Sequence, residues 1–99
     1  MADFHLIPCK IERGGFSGER TFTIATGGGE PLIGVAYYEY FLDSNQKPIS
    51  EDEPPEGQKL DGFVMCRIIR LVDDSTVIVE VPSSDTIEIQ KRDLVSGAR

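Results

Sequence analysis

The chain has one histidine, His5, and two cysteines, Cys9 and Cys66. A thiol beside an imidazole is a potential nucleophile, but the pair must lie within hydrogen-bond reach. On an extended strand, residues four apart stand ~13 Å apart, so His5 and Cys9 do not form such a pair locally. Only the fold could bring His5 to Cys66. Gly15-Phe16-Ser17-Gly18-Glu19 begins like the Gly-x-Ser-x-Gly elbow of serine hydrolases. It departs at Glu19 and lacks the strand-to-helix context that exposes the serine. Gly27-Gly28-Gly29 is followed by neither Gly-Lys-Ser/Thr nor a helix pattern, so it reads as a turn and not a phosphate loop. A structural zinc site needs close Cys or His pairs, which are absent here. Asp43-Ser44-Asn45 opens like a calcium loop, but Lys47 takes the fifth position and no helical pattern flanks it. Asp73-Asp74 pairs two carboxylates, and acid catalysis there would need one of them raised by burial or by its like-charged neighbour. The residues therefore point away from an enzyme, and neither cofactor nor metal is expected.

What remains is suited to binding. Tyr37, Tyr38, Tyr40 and Phe41 crowd one segment. Strict alternation would put Tyr38 and Tyr40 on one face and Tyr37 and Phe41 on the other. Aromatic faces on small barrels stack on bases or grip peptides. Residues 51–60 carry four acids, Glu51, Asp52, Glu53 and Glu56, against one base, Lys59. The expected binding residues are Tyr38, Tyr40, Glu51, Asp52 and Glu53.

These residues sit on a chain of 99 residues with 17 acids, 10 bases and a formal net charge of −7. That length suits one small domain with a single modest core. Clustered Lys and Arg, which phosphate binding requires, are reduced to one adjacent pair, Lys91-Arg92. The start, Met1-Ala2-Asp3-Phe4-His5-Leu6, has neither the basic nor the long apolar part of a secretory leader. A cytoplasmic setting with reduced thiols is expected, a Cys9–Cys66 disulfide being the alternative in an oxidising one. No stretch approaches the 18 or so apolar residues of a membrane helix.

The prevailing period is two. Phe22 and Ile24 alternate with Thr21 and Thr23, Val77, Val79 and Val81 with Ile78 and Glu80, and Ile87 and Ile89 with Glu88 and Gln90. Each reads as a half-buried strand. Pro8 interrupts Phe4–Glu12 and predicts an edge or broken strand. Leu32–Leu42 and Phe63–Leu71 are apolar on both faces and read as central or curving strands, with a bulge at Ile68-Ile69. Turns fall at Gly27–Pro31, Asp73–Ser75 and Pro82–Asp85, and Lys91–Leu94 reads as one 3₁₀ turn. The segment Asp43–Asp61 holds three prolines and few apolar side chains, and reads as a long acidic loop.

The last 40 residues resemble the closing strands of SH3-like barrels, with a hairpin pair, a short turn, a final strand and a one-turn cap. Independently of that resemblance, strands every 8–12 residues on a chain of 99 predict an all-β fold, a small antiparallel barrel of about five to six strands (SH3-like or related), over residues 1–99. The function that fits is a non-enzymatic interaction or assembly module. Its partner would be another protein of basic character, with the loop removable without loss of fold. One alternative is a nucleic-acid-binding barrel using Arg67, Arg70, Lys91 and Arg92, which the net charge opposes. The other is a small-ligand binder with a pocket at the barrel mouth. No membrane partner is expected.

Overall fold

The structure, a computed structural model, describes residues 4–26 and 29–96. Gly27 and Gly28 of the expected glycine turn, and Met1–Asp3, lie outside them. The chain is all-β. Strands β1 (His5–Arg13), β2 (Glu19–Ile24), β3 (Leu32–Tyr37), β4 (Phe41–Asp43), β5 (Leu60–Leu71), β6 (Thr76–Glu80), β7 (Thr86–Gln90) and β8 (Val95–Ser96) are joined by turns and two single 3₁₀ turns, Tyr38–Tyr40 and Lys91–Asp93. They form one antiparallel sheet in the order β3-β2-β1-β5-β6-β7, with β4 added to β5 and β8 to β1. The sheet curls into a half-barrel. Among the described residues its outer strands, β3 and β7, do not pair with each other.

The curl comes from β5. Its first seven residues pair with β1, from Leu60↔Ile11 to Cys66↔His5, and its last five run along β6. The register slips between Ile68 and Arg70, so Ile69 is an extra residue. The expected bulge is therefore present, and bulges bend and twist a strand. At the other end, Gly62 lies between Cys9 on β1 and Asp43 on β4. A Cβ there would collide with the Leu42 carbonyl oxygen and press Ile11.

Alternation fills the concave side. Ile7, Cys9 and Ile11 of β1, Phe22 and Ile24 of β2, Val64 and Cys66 of β5, Val77 and Val79 of β6 and Ile89 of β7 are buried in one cluster with Phe41 and Ile49. The Phe22 and Phe41 rings meet at a tilt of 59°, with centroids 5.6 Å apart, within the range of favourable aromatic contact.

Two sequence expectations are corrected. β1 is interior to the sheet, not an edge. Yet β8 pairs only with His5 and Leu6, and β2 only from Lys10 onward. Pro8 falls in the gap between them, on the side where its missing N–H needs no partner. Leu32–Leu42 is not one strand either. It is an outer strand, a 3₁₀ turn and the short β4. On β3 the small residues Gly34 and Ala36 face inward, because the Phe22 ring and the Ser83 hydroxyl occupy the space over Gly34. The large residues Ile33, Val35 and Tyr37 consequently face out.

Gly62→Ala is expected to destabilise the fold by about 1–3 kcal/mol, since the obstructing atom is backbone and cannot rotate away. A lower urea midpoint at unchanged slope is the expected result.

Candidate functional site

The site is built on one pair of arginines. Arg20 belongs to the face of β2 that carries Phe22 and Ile24, so strand alternation aims it inward. It is fully buried, with 0% of its surface exposed. Burying a charge is costly unless its donors are matched. Its Nε donates to the Glu53 carbonyl at 2.8 Å, Nη2 to the Glu51 carbonyl at 2.6 Å and Nη1 to the Glu19 carbonyl at 2.7 Å. The Tyr38 ring covers it, 5.7 Å from guanidinium to ring centre, within cation–π range.

Arg13 stands directly across the ladder from Arg20. Its Nε donates to the Pro54 carbonyl at 2.9 Å and its Nη2 to the Asp52 carbonyl at 3.1 Å. Four successive carbonyls, Glu51 to Pro54, are thus taken in alternation by two guanidinium groups. Burial lowers the Arg20 pKa first, and the Arg13 charge adds to this. Glu51, Tyr38 and Asp52 oppose it. A guanidinium nonetheless stays charged in a protein.

With the carbonyls turned inward, the Glu51, Asp52 and Glu53 side chains are exposed. The segment between β4 and β5 is therefore not slack, although it holds no strand or helix. Pro54 is buried, Ile49 enters the core, and the Glu53 carboxylate accepts the Ser50 N–H at 3.0 Å. At its start the Asp43 carboxylate accepts the N–H groups of Asn45 and Lys47, at 2.8 and 3.0 Å. The expectation that residues 44–60 could be removed without loss of fold does not survive this packing. Removal would strip Arg20 of two acceptors and the core of Ile49.

The five expected binding residues divide. Arg20 gathers Tyr38 with Glu51 and Glu53, and Arg13 adds Asp52. Tyr40 is turned away by the 3₁₀ turn, which breaks the alternation expected of Tyr38 and Tyr40. It lines a separate shallow cleft of about 330 Å³ with Met65, Cys66, Arg67, Glu80, Val81 and Pro82. Arg67 is engaged there by Glu80 at 2.7 Å. Sequence reading missed Arg13 and Arg20. The signal for Arg20 was its place two residues before Phe22 on the inward face.

The reactive groups are placed as follows. His5 stands opposite Cys66 in the β1–β5 register, so the fold does bring them together. Burial, however, pushes both the Cys66 and the Cys9 thiol up to about 12, which withholds the thiolate that nucleophilic attack needs. Cys9 lies opposite Gly62, four residues along β5 from Cys66. That offset is ~13 Å, beyond the roughly 7 Å a disulfide can span. Asp73 accepts the N–H and hydroxyl of Ser75 at 2.8 and 3.2 Å, and the backbone bond chiefly lowers its pKa. A general acid requires the opposite shift. Among the described residues, no group of three or more His, Cys, Asp or Glu is placed to hold a metal ion, and no helix is long and apolar enough to cross a membrane. No protein-family model, curated protein or solved structure matches the chain.

Arg20→Ala should cost about 3 kcal/mol or more, because the Glu19, Glu51 and Glu53 carbonyls lose their charged donor, at about 1–3 kcal/mol for each buried group left unpaired. Arg20→Lys should recover only part of that, because an ammonium cannot reproduce the planar fork; urea denaturation of both variants measures it. For the thiols, the folded pKa lies above the unfolded value of about 9. Their contribution to stability is intact below pH 9 and declines as pH rises from 9 toward 12. Denaturation midpoints of Cys9→Ala/Cys66→Ala should fall less steeply with pH across that window than those of the parent.

Proposed function

We propose that the chain is a non-enzymatic protein-interaction module whose partner presents a basic segment to the clamped acidic turn. The observation that carries this reading is the grip of Arg13 and Arg20 on the carbonyls of Glu51–Pro54. It holds three consecutive carboxylates outward in one fixed backbone conformation. Preorganisation of this kind lowers the ordering cost of association, and complementary charge steers encounter. The two guanidinium charges are turned inward onto carbonyls, whereas the carboxylates face solvent.

The closing portion of the chain supports an SH3-like arrangement as the scaffold. Hairpins join β5, β6 and β7, a 3₁₀ turn follows at Lys91–Asp93, and β8 returns to β1. Scaffold alone does not give function, so the reading rests on the turn.

The nucleic-acid alternative gains little from these positions. Arg67 is committed to Glu80, and the net charge is −7.

Glu51→Gln, Asp52→Asn and Glu53→Gln together keep side-chain size and the Glu53 acceptor while removing charge. The triple variant should keep the fold at a lower urea midpoint, since Glu51 and Asp52 no longer offset the Arg13–Arg20 repulsion, and bind an oligolysine peptide about tenfold or more weakly at low salt. The difference should shrink as salt rises. Equal affinity of both proteins, measured by fluorescence anisotropy, would refute the proposal.

A further inference from the structure

β3 ends the sheet, and nothing in its sequence guards it. Leu32–Tyr37 contains no charge, no proline and no register slip against β2. Natural edge strands are normally blunted by such devices. The direction of its backbone groups follows from two turn hydrogen bonds. Tyr38 N–H donates to the Gly18 carbonyl at 2.8 Å, and Gly14 N–H donates to the Glu19 carbonyl at 3.0 Å. Tyr38 therefore faces β2, while Glu19 faces β1. Backbone direction alternates along a strand, and the β2–β3 register is unbroken from Glu19↔Tyr37 to Ile24↔Leu32. Leu32, Gly34 and Ala36 accordingly bond to β2, and Ile33, Val35 and Tyr37 direct their N–H and C=O groups off the sheet.

The same three residues carry the exposed side chains. Ile33, Val35 and Tyr37 are 62%, 46% and 56% exposed. They form one apolar row along an open ladder.

Charge selects the occupant. No lysine or arginine stands between Arg20 and Lys47, while Glu30 and Glu39 flank the strand. Past its end, Tyr38 covers Arg20, which holds the Glu51 and Glu53 carbonyls. On the inward side of β3, Ser83 approaches Gly34 and is bonded to the Asp85 carboxylate at 2.7 Å. A second copy is disfavoured. Antiparallel self-pairing centred on Val35 would carry Glu30 of one copy toward Glu39 of the other, between two chains of −7 each.

We infer that the β3 edge takes up an extended segment of a partner protein as an added strand, with apolar residues alternating with Lys or Arg. The apolar residues would lie along Ile33, Val35 and Tyr37, and the cations would face Asp85 and the acidic turn. This mode rests on the interaction reading above but is carried by a different element.

The test uses a blocked eight-residue peptide of alternating Lys and Val, with the full-length protein. Fluorescence anisotropy gives affinity, and amide hydrogen exchange by NMR gives the site. Expected is saturable binding with new protection at the Ile33, Val35 and Tyr37 amides, those of Gly34 and Ala36 being protected already. Val35→Lys, at an exposed outward position, should weaken binding about tenfold or more without lowering the urea midpoint. Binding that spares these three amides and is insensitive to Val35→Lys, yet falls with the Glu51/Asp52/Glu53 amide variant, overturns strand addition and leaves the acidic-turn reading intact. Edge protection with no effect of the amide variant supports strand addition and removes the turn from the function. No binding, or protection of the three amides by self-association in the absence of peptide, overturns the inference.

Discussion

The buried guanidinium of Arg20 is the constraint on which much of this fold turns. A charge with no exposed surface persists only if each donor finds an acceptor, because an unmatched one carries the full cost of desolvation. β2 supplies a single carbonyl, that of Glu19. The others must come from elsewhere in the chain, and they come from Glu51 and Glu53. A segment without regular structure is thereby held to the β1–β2 ladder by the needs of one residue. Arg13, directly opposite, takes the carbonyls of Asp52 and Pro54. Two like charges placed side by side would repel. The carbonyls each one bonds separately, and the carboxylates of Glu51 and Asp52, offset that repulsion.

The path from β3 to β4 fits the same demand. Tyr38 must reach over Arg20 while Phe41 enters the core against Phe22. A continuous strand would put residues 38 and 41 on opposite faces. A single 3₁₀ turn changes that phase in three residues. Tyr40 is turned out toward another cleft, and the cluster of tyrosines that looks like one surface in sequence becomes three environments. On β3 the Phe22 ring leaves room only for Gly34 beneath it. The large side chains of the strand are then left on the convex side, and an outer edge acquires its apolar row.

Much of this was legible in the sequence, and the rest failed for definable reasons. Period-two patterns gave β2, β6 and β7, the adjacent Ile68-Ile69 gave the bulge that curls β5, and Lys91–Leu94 gave the short turn before β8. Each rests on local chemistry. Pro8 misled because a proline reports a missing hydrogen bond on one side only, and β1 is interior yet unpaired there. Leu32–Leu42 misled because apolar residues on both faces suit a central strand as well as an edge whose inward positions are small. The acidic segment misled most. Its composition suits a solvated loop, and beside a few side chains of its own, such as Ile49 and Asp43, what ties it to the sheet is carbonyls, which every sequence has. The determinant lay 31 residues away at Arg20, an inward-facing charge that alternation with Phe22 already marked.

An unguarded edge beside an acidic surface is a consistent design rather than a defect. Edge strands are usually protected from other chains by lysine, proline or a bulge on the strand itself. Those devices are missing from β3, and on the proposed reading protection would come from long-range charge. At a formal net charge of −7, copies of this chain and other acidic proteins would be repelled, while the proposed basic segment would meet attraction on approach. Strand pairing supplies affinity through backbone bonds that are blind to sequence, so discrimination must come from elsewhere. On the proposed reading the surrounding carboxylates would supply it, and the turn that presents three of them is bonded to Arg20 on the strand next to the edge.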